Sequence, residues 1–157
     1  MRYFMLDKIL EYNEGKNAKA VKNITLSDDV MADHFPDLPI YPGAFVVESA
    51  AQLGGFLLEM SFNTPQSIRR AMMAQIDQAK FYRPAEPGDQ LLLDTQLDSF
   101  IDDAAKVKVH VSSEGKKVAR ALLTFVLKEV EWEKIHEQRR SLYSIWTRHI
   151  EGFPEIL

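Results

Sequence analysis

One apolar run, which has to be buried on every side, constrains this chain more than any other feature. From Ala44 to Met60 it reads Ala-Phe-Val-Val-Glu-Ser-Ala-Ala-Gln-Leu-Gly-Gly-Phe-Leu-Leu-Glu-Met. At helical period its apolar side chains fall nearly all round, which marks a helix inside a protein and not on its surface. Glu48, Gln52 and Glu59 interrupt the run and argue against a membrane span. Gly54-Gly55 weakens it locally, a cost usually accepted for close packing against something flat. Before it, Asp33 to Gly43 carries Pro36, Pro39 and Pro42, which exclude helix and predict a stiff, extended loop.

A buried helix needs a wrapping, and the rest of the chain supplies strands. Tyr3–Tyr12 and Asn17–Leu26 flank the turn Asn13-Glu14-Gly15-Lys16, the pattern of a β-hairpin. Ser27–Ala32 fits one helical turn, and Phe62–Ser67 a loop. Arg70–Tyr82 and Gln90–Phe100 read as strands around the turn Pro84-Ala85-Glu86-Pro87-Gly88-Asp89. Lys106–Val111 alternates with period two, and Ser113-Glu114-Gly115-Lys116 turns it into a last strand, Lys117–Lys128. From Glu131 the period changes: Trp132, Ile135, Leu142, Ile145 and Trp146 follow helical spacing. Their stripe is expected to cover a sheet edge or core. The expected fold is α+β, a curved antiparallel sheet around a central hydrophobic helix, in one domain spanning 1–157. Its core covers 2–128, and a C-terminal helical extension covers 131–157.

Composition narrows the function. The 157 residues carry 19 Lys plus Arg against 23 Asp plus Glu, a net charge of -4, which argues against nucleic acid as the main partner. With no cysteine, thiol nucleophiles, disulfides, iron–sulfur clusters and thiolate-bound zinc are excluded. The N-terminal apolar run is too short for a signal peptide, so a cytoplasmic protein is expected. No Gly-rich phosphate motif and no Gly-x-Ser-x-Gly elbow occurs. His136-Glu137 opens a zinc-protease helix pattern, but Arg140 stands where the second histidine belongs, so no metal site is expected.

The four histidines separate by context. His110 falls on the polar face of its strand, and His136 and His149 lie among charged residues; solvated surface roles are expected for all three. His34 opens the proline-rich loop that leads into the buried helix. Glu48 is a carboxylate in that helix, where burial is costly without a partner. Gln52, four residues on, shares its face and can hold one carboxyl oxygen. Pro42-Gly43 precedes the helix, whose first N–H groups and positive dipole end point above the loop. A base, an acid and an N–H donor suit elimination of water from a 3-hydroxyacyl thioester. Imidazole takes the α-proton near neutral pH, a desolvated carboxyl protonates the departing hydroxyl, and N–H groups stabilise enolate charge.

His34-Phe35-Pro36-x-x-Pro39-Ile40-x-Pro42-Gly43, followed by Glu48 and Ala51-Gln52, closely resembles the FabZ/FabA-like 3-hydroxyacyl carrier-protein dehydratases of the hotdog fold. A second block, Lys80-Phe81-Tyr82-Arg83-Pro84-x-x-Pro87-Gly88-Asp89, resembles the strand and turn after the helix in that family, and Arg2–Asp7 resembles its first strand. The resemblance spans Arg2 to Lys128. It implies catalytic roles for His34 and Glu48, an N–H from Gly43 to the thioester carbonyl, and a carboxylate held by Gln52. Phe35 and Pro42 join the substrate-binding set. It further implies a homodimer with its sites between subunits, an acyl chain running along the central helix, and acyl carrier protein as partner. The expected cofactor is none beyond the phosphopantetheine arm of that carrier or of CoA.

Three departures stand out. Asp33 precedes the histidine where the family usually has glycine, adding a negative charge that favours protonated imidazole. The chain begins at the first strand, without the family's short upstream segment. Residues from Glu131 onward match nothing in the pattern. Carrier proteins are generally acidic, so a chain of net charge -4 needs a local basic rim, with Arg69, Arg70, Lys80 and Arg83 as candidates. A thioesterase, a CoA-directed hydratase and a non-catalytic acyl-binding subunit are the competing readings; the His34/Glu48 pair weighs against the last.

Overall fold

A computed structural model describes residues 3–157, so Arg2, at the start of the resemblance, lies outside the described residues. The elements follow the order β1 (Lys8–Asn13), β2 (Asn17–Asn23), a 3-10 turn (Asp29–Ala32), α1 (Gly43–Phe62), β3 (Arg69–Phe81), β4 (Gln90–Ile101), β5 (Ala104–Ser113), β6 (Lys116–Glu129) and α2 (Glu133–Thr147). The strands form one six-stranded antiparallel sheet in the order β1-β2-β4-β5-β6-β3, with α1 packed on it. This is the expected helix wrapped by a curved sheet. On its inner face β5 lays down Ala105, Val107, Val109 and Val111, all buried, while Lys108 and His110 point to water.

Leu53, Phe56, Leu57 and Leu58 of α1 are fully buried. A Cβ on Gly54 would stand 2.9 Å from Val107 Cγ2 and 3.1 Å from the Phe125 ring, so this glycine sets how closely helix and sheet approach. Gly55 is looser; its Cβ would meet only Ala71, at 3.8 Å.

Three expectations need correcting. β1 starts at Lys8 and not Tyr3, because Tyr3–Met5 lies over α1, where Gln52 Oε1 accepts the Met5 N–H and Gln52 Nε2 donates to the Tyr3 carbonyl. The proline loop is folded and not extended. Phe35 and Leu38 exchange two backbone hydrogen bonds (2.9 and 3.0 Å) and the Ile40 N–H reaches the His34 carbonyl at 2.8 Å. A proline at the second position of a tight turn favours reversal, and Pro36 sits there, followed by Asp37 at φ 64°. Finally, His136 is buried. Its Nδ1 accepts from Arg70 Nε at 3.0 Å, and its Nε2 donates to the Val130 carbonyl at 2.7 Å.

The stripe expected on α2 divides. Trp146 is buried, its Nε1 donating to the Leu6 carbonyl, and Leu142 is nearly so, but Trp132 is 73% exposed and Ile145 also faces water. The face that packs holds His136, Tyr143 and Trp146, with Tyr143 and Trp146 edge-on to Phe56 of α1. Helix α2 thus covers the core, on a face partly different from the apolar stripe.

Candidate active site

His34 lies two residues past the 3-10 turn, to which it is tied by its N–H donating to the Val30 carbonyl at 3.1 Å. Its Nδ1 lies 2.9 Å from the Ile40 carbonyl, a group that can only accept. Nδ1 therefore carries the proton, and Nε2 keeps a free lone pair. Phe35, half exposed, stacks on the imidazole with ring centroids 4.2 Å apart. Tyr41 is buried, which pushes its hydroxyl up to about 12, and its N–H bonds the Ala85 carbonyl at 2.7 Å, fastening the loop to the turn after β3.

Pro42 is the N-cap of α1 and its carbonyl accepts from Phe45 and Val46. That leaves the Gly43 and Ala44 N–H groups as the free donors at the helix start. A cavity of about 430 Å³ opens beside them, walled by Ile40, Tyr41, Gly43, Phe81, Tyr82 and Val118. A Cβ on Gly43 would come within 3.0 Å of the Phe81 ring, so only glycine leaves this approach clear.

Glu48 is half-buried, one turn into α1. Gln52 Nε2 donates to its Oε1 at 2.9 Å, as the four-residue spacing predicts. Tyr3, which the sequence reading placed in a strand and not in the site, stands over Glu48; partial burial and then the Glu48 carboxylate raise its pKa. The fully buried carboxylate of α1 is instead Glu59, 2% exposed, which receives Arg70 Nη1 at 2.9 Å, the Ala71 N–H at 3.0 Å and the Tyr143 hydroxyl at 3.0 Å. A second cavity, of about 110 Å³, starts at Glu48 and Gln52 and runs toward Glu59. His34 lines neither cavity, so within one chain it shares no cavity with Glu48.

The expected basic rim changes. Arg70 is only 3% exposed and serves Glu59, His136 and the Leu157 carbonyl, so it cannot meet a partner. Arg69 is turned to Asp103 and the Phe62 carbonyl. Arg83 grips Asp89 through both terminal nitrogens at 3.0 Å. Lys80 remains exposed, 5.2 Å from the Tyr82 ring centre, and Lys117, which the sequence did not single out, approaches the same ring at 5.9 Å. Tyr82 in turn lines the cavity beside Gly43. Lys117 comes from the far hairpin, so no local spacing marks it.

Comparison with known proteins shows the family and the fold. The FabA-like domain family matches residues 1–122. A protein of Listeria monocytogenes serotype 4b, the 3-hydroxyacyl-[acyl-carrier-protein] dehydratase FabZ, is 34% identical over 128 residues, covering 82% of this chain and 88% of that one. The FabZ of Caldicellulosiruptor saccharolyticus is 35% identical over 130 residues, with coverage of 80% and 89%. Among solved structures, a Streptococcus mutans protein bound to acetyl CoA superposes with TM-score 0.65 at 17% identity, over 82% of this chain and 93% of that one. The PaaI protein of E. coli gives 0.60 at 17% identity, over 76% and 81%. At such identities these two establish the fold, a hotdog, and nothing about chemistry. Among the described residues, no helix is long and apolar enough to cross a membrane.

Proposed function

The chain belongs to the FabA-like family, and from that membership we propose how its residues divide the family's reaction between them. The protein is a 3-hydroxyacyl carrier-protein dehydratase, a hydro-lyase of fatty-acid or related acyl biosynthesis. It converts a 3-hydroxyacyl thioester into the trans-2-enoyl thioester and water.

His34 Nε2 takes the proton from C2, its role fixed by the Nδ1–H bond to the Ile40 carbonyl. The electron pair left on C2 spreads onto the thioester oxygen, where the free N–H groups of Gly43 and Ala44 receive it at the positive end of α1. As C2=C3 forms, C3–O breaks and Glu48, held by Gln52, delivers a proton to the leaving hydroxyl. The observation that carries this reading is a base whose Nδ1 is held by the Ile40 carbonyl, on the loop leading into a helix N-terminus where Gly43 lines an open cavity. No group beyond the carrier's phosphopantetheine arm is required.

The site forms between two copies, His34 and Gly43 of one chain meeting Glu48 of the other. Two features support this: Gly43 and Glu48 line separate cavities, and each cavity is walled partly by β3, through Phe81 in one and Met73 in the other. Lys80 and Lys117, both beside the Tyr82 ring, suit an acidic carrier.

The test is incubation with 3-hydroxyacyl and 2-enoyl thioesters on carrier and on CoA, followed by product masses. Loss and gain of one water, with the thioester intact, supports the dehydratase. Release of free acid would identify a thioesterase instead.

A further inference from the structure

The cavity behind Glu48 lies along a single face of α1. Glu48, Gly55 and Glu59 recur on that face over eleven residues, about 16 Å of helix. Met73 of β3 and Phe125 of β6 form its apolar walls, and the missing side chain of Gly55 gives it width.

Its far end is of another character. There α2 inserts Arg139 and Tyr143. This helix lies beyond the portion of the chain that matches the family, which ends at residue 122. The Tyr143 hydroxyl is committed to Glu59 at 3.0 Å. Arg139 Nε stands 3.7 Å from Glu59, and this buried nitrogen has no hydrogen-bond partner among the described residues. Burial works against the Arg139 charge, but Tyr143, Glu59 and Glu48 outweigh it and hold the guanidinium above its ordinary pKa. A hydrocarbon end pressed against this wall would further desolvate the Arg139 cation and give it no hydrogen bond in return.

Resting on the dehydratase reading, we propose that Arg139 and Tyr143 of the C-terminal helix close the acyl cavity and restrict the enzyme to short acyl chains. The volume agrees. An apolar cavity of about 150 Å³ accepts one benzene, and this one is about 110 Å³. Room therefore exists for a short alkyl stub past C3. Arg139 also borders an outer groove of about 720 Å³, where Phe4, Ile135, Leu142 and Ile145 present apolar surface. Removing its side chain should join the two spaces and let a longer chain pass onto this groove, whose apolar side chains stand beside the charged Lys134 and Glu137.

The experiment compares kcat/KM for pantetheine thioesters of 3-hydroxybutyrate, 3-hydroxyhexanoate, 3-hydroxyoctanoate and 3-hydroxydecanoate. Wild type should favour butyryl over decanoyl by about tenfold or more, the scale at which a hydrophobic pocket discriminates methylenes. In Arg139→Ala the decanoyl-to-butyryl ratio should rise by about tenfold or more, and Arg139→Lys should keep the wild-type ratio. A merely structural role would lower all four values together. Should Arg139→Ala not fold, Gly55→Ala, whose new methyl fits at 3.8 Å from Ala71, narrows the cavity and should depress hexanoyl relative to butyryl. A ratio unchanged by these substitutions, or a wild type that handles decanoyl as well as butyryl, overturns the proposal. Calorimetric binding of saturated butyryl to decanoyl pantetheine reads the same wall without turnover. Binding that ranks by length while no 3-hydroxyacyl thioester is dehydrated would leave the wall standing and refute the reaction.

Discussion

The chemistry rests on few atoms, and each can be removed singly. His34→Ala removes the proposed base, and Glu48→Gln keeps the hydrogen bond to Gln52 but removes the proposed proton donor. Each should lower kcat by ~10²–10⁴, the usual worth of a positioned acid or base, with circular dichroism unchanged. Near-wild-type turnover in either variant would refute its role. Gly43→Ala tests the third part, because its methyl would press on Phe81 at 3.0 Å and crowd the two free N–H groups. The residues of this half of the site were legible in the sequence because they act through local spacing: a loop, a helix start and a four-residue step. The state of the charged residues was not. Arg70 reads as a surface cation, yet partners 66 and 87 positions away enclose it. Glu48 and Glu59 look alike in sequence, and only the arrival of β3 and α2 buries one of them.

At the scale of elements, Glu59 is the joint where α1, β3 and α2 meet, through the Arg70 ion pair and the Tyr143 hydroxyl. Arg70→Ala would leave that carboxylate buried without its nearest cation, and should cost about 3–5 kcal/mol in urea unfolding. Arg69→Ala, one residue earlier, breaks a more exposed pair with Asp103 and should cost only ~0–1 kcal/mol. Equal effects would remove Glu59 as the joint. The turn between β3 and β4 supplies a pH effect. Arg83 first, then the Glu86 N–H and the Ser113 hydroxyl, hold the Asp89 carboxyl well below the usual range against the opposing effect of burial. With the folded pKa depressed, the stabilisation is complete above the unfolded value of ~3.9 and is lost as pH falls through the folded one. Melting temperature should therefore drop below about pH 4 in wild type, and Asp89→Asn should start lower at neutral pH and fall less. Strand positions were legible from alternation, whereas the turn that folds back the proline loop was not, since proline fixes φ equally in extended and reversed chain.

For the whole molecule, the open question is what covers β3. It is an edge strand of thirteen residues, bonded among the described residues only to β6, and it exposes Met72, Met73, Ile76 and Phe81. A long apolar edge left bare is an aggregation hazard, whereas the opposite edge, β1, is short and has α2 beside it. A second copy pairing along β3 would bury these side chains. It would also bring its own half-sites to Met73 and Phe81, the residues through which both cavities touch this strand. Two-fold symmetry then requires that whatever His34 of one chain meets in its partner, the partner's His34 meets in return. Complementation between inactive chains follows from this arrangement. Equal amounts of His34→Ala and Glu48→Gln chains, unfolded and refolded together, should assort so that about half the dimers are mixed. Each mixed dimer holds one site with both native residues and one with neither, so activity should return to about a quarter of wild type. If both residues of a site came from one chain, no native site could form and the mixture would stay inactive. A silent mixture in which native mass spectrometry confirms subunit exchange would refute the shared site, and a monomer by the same measurement would refute the dimer itself.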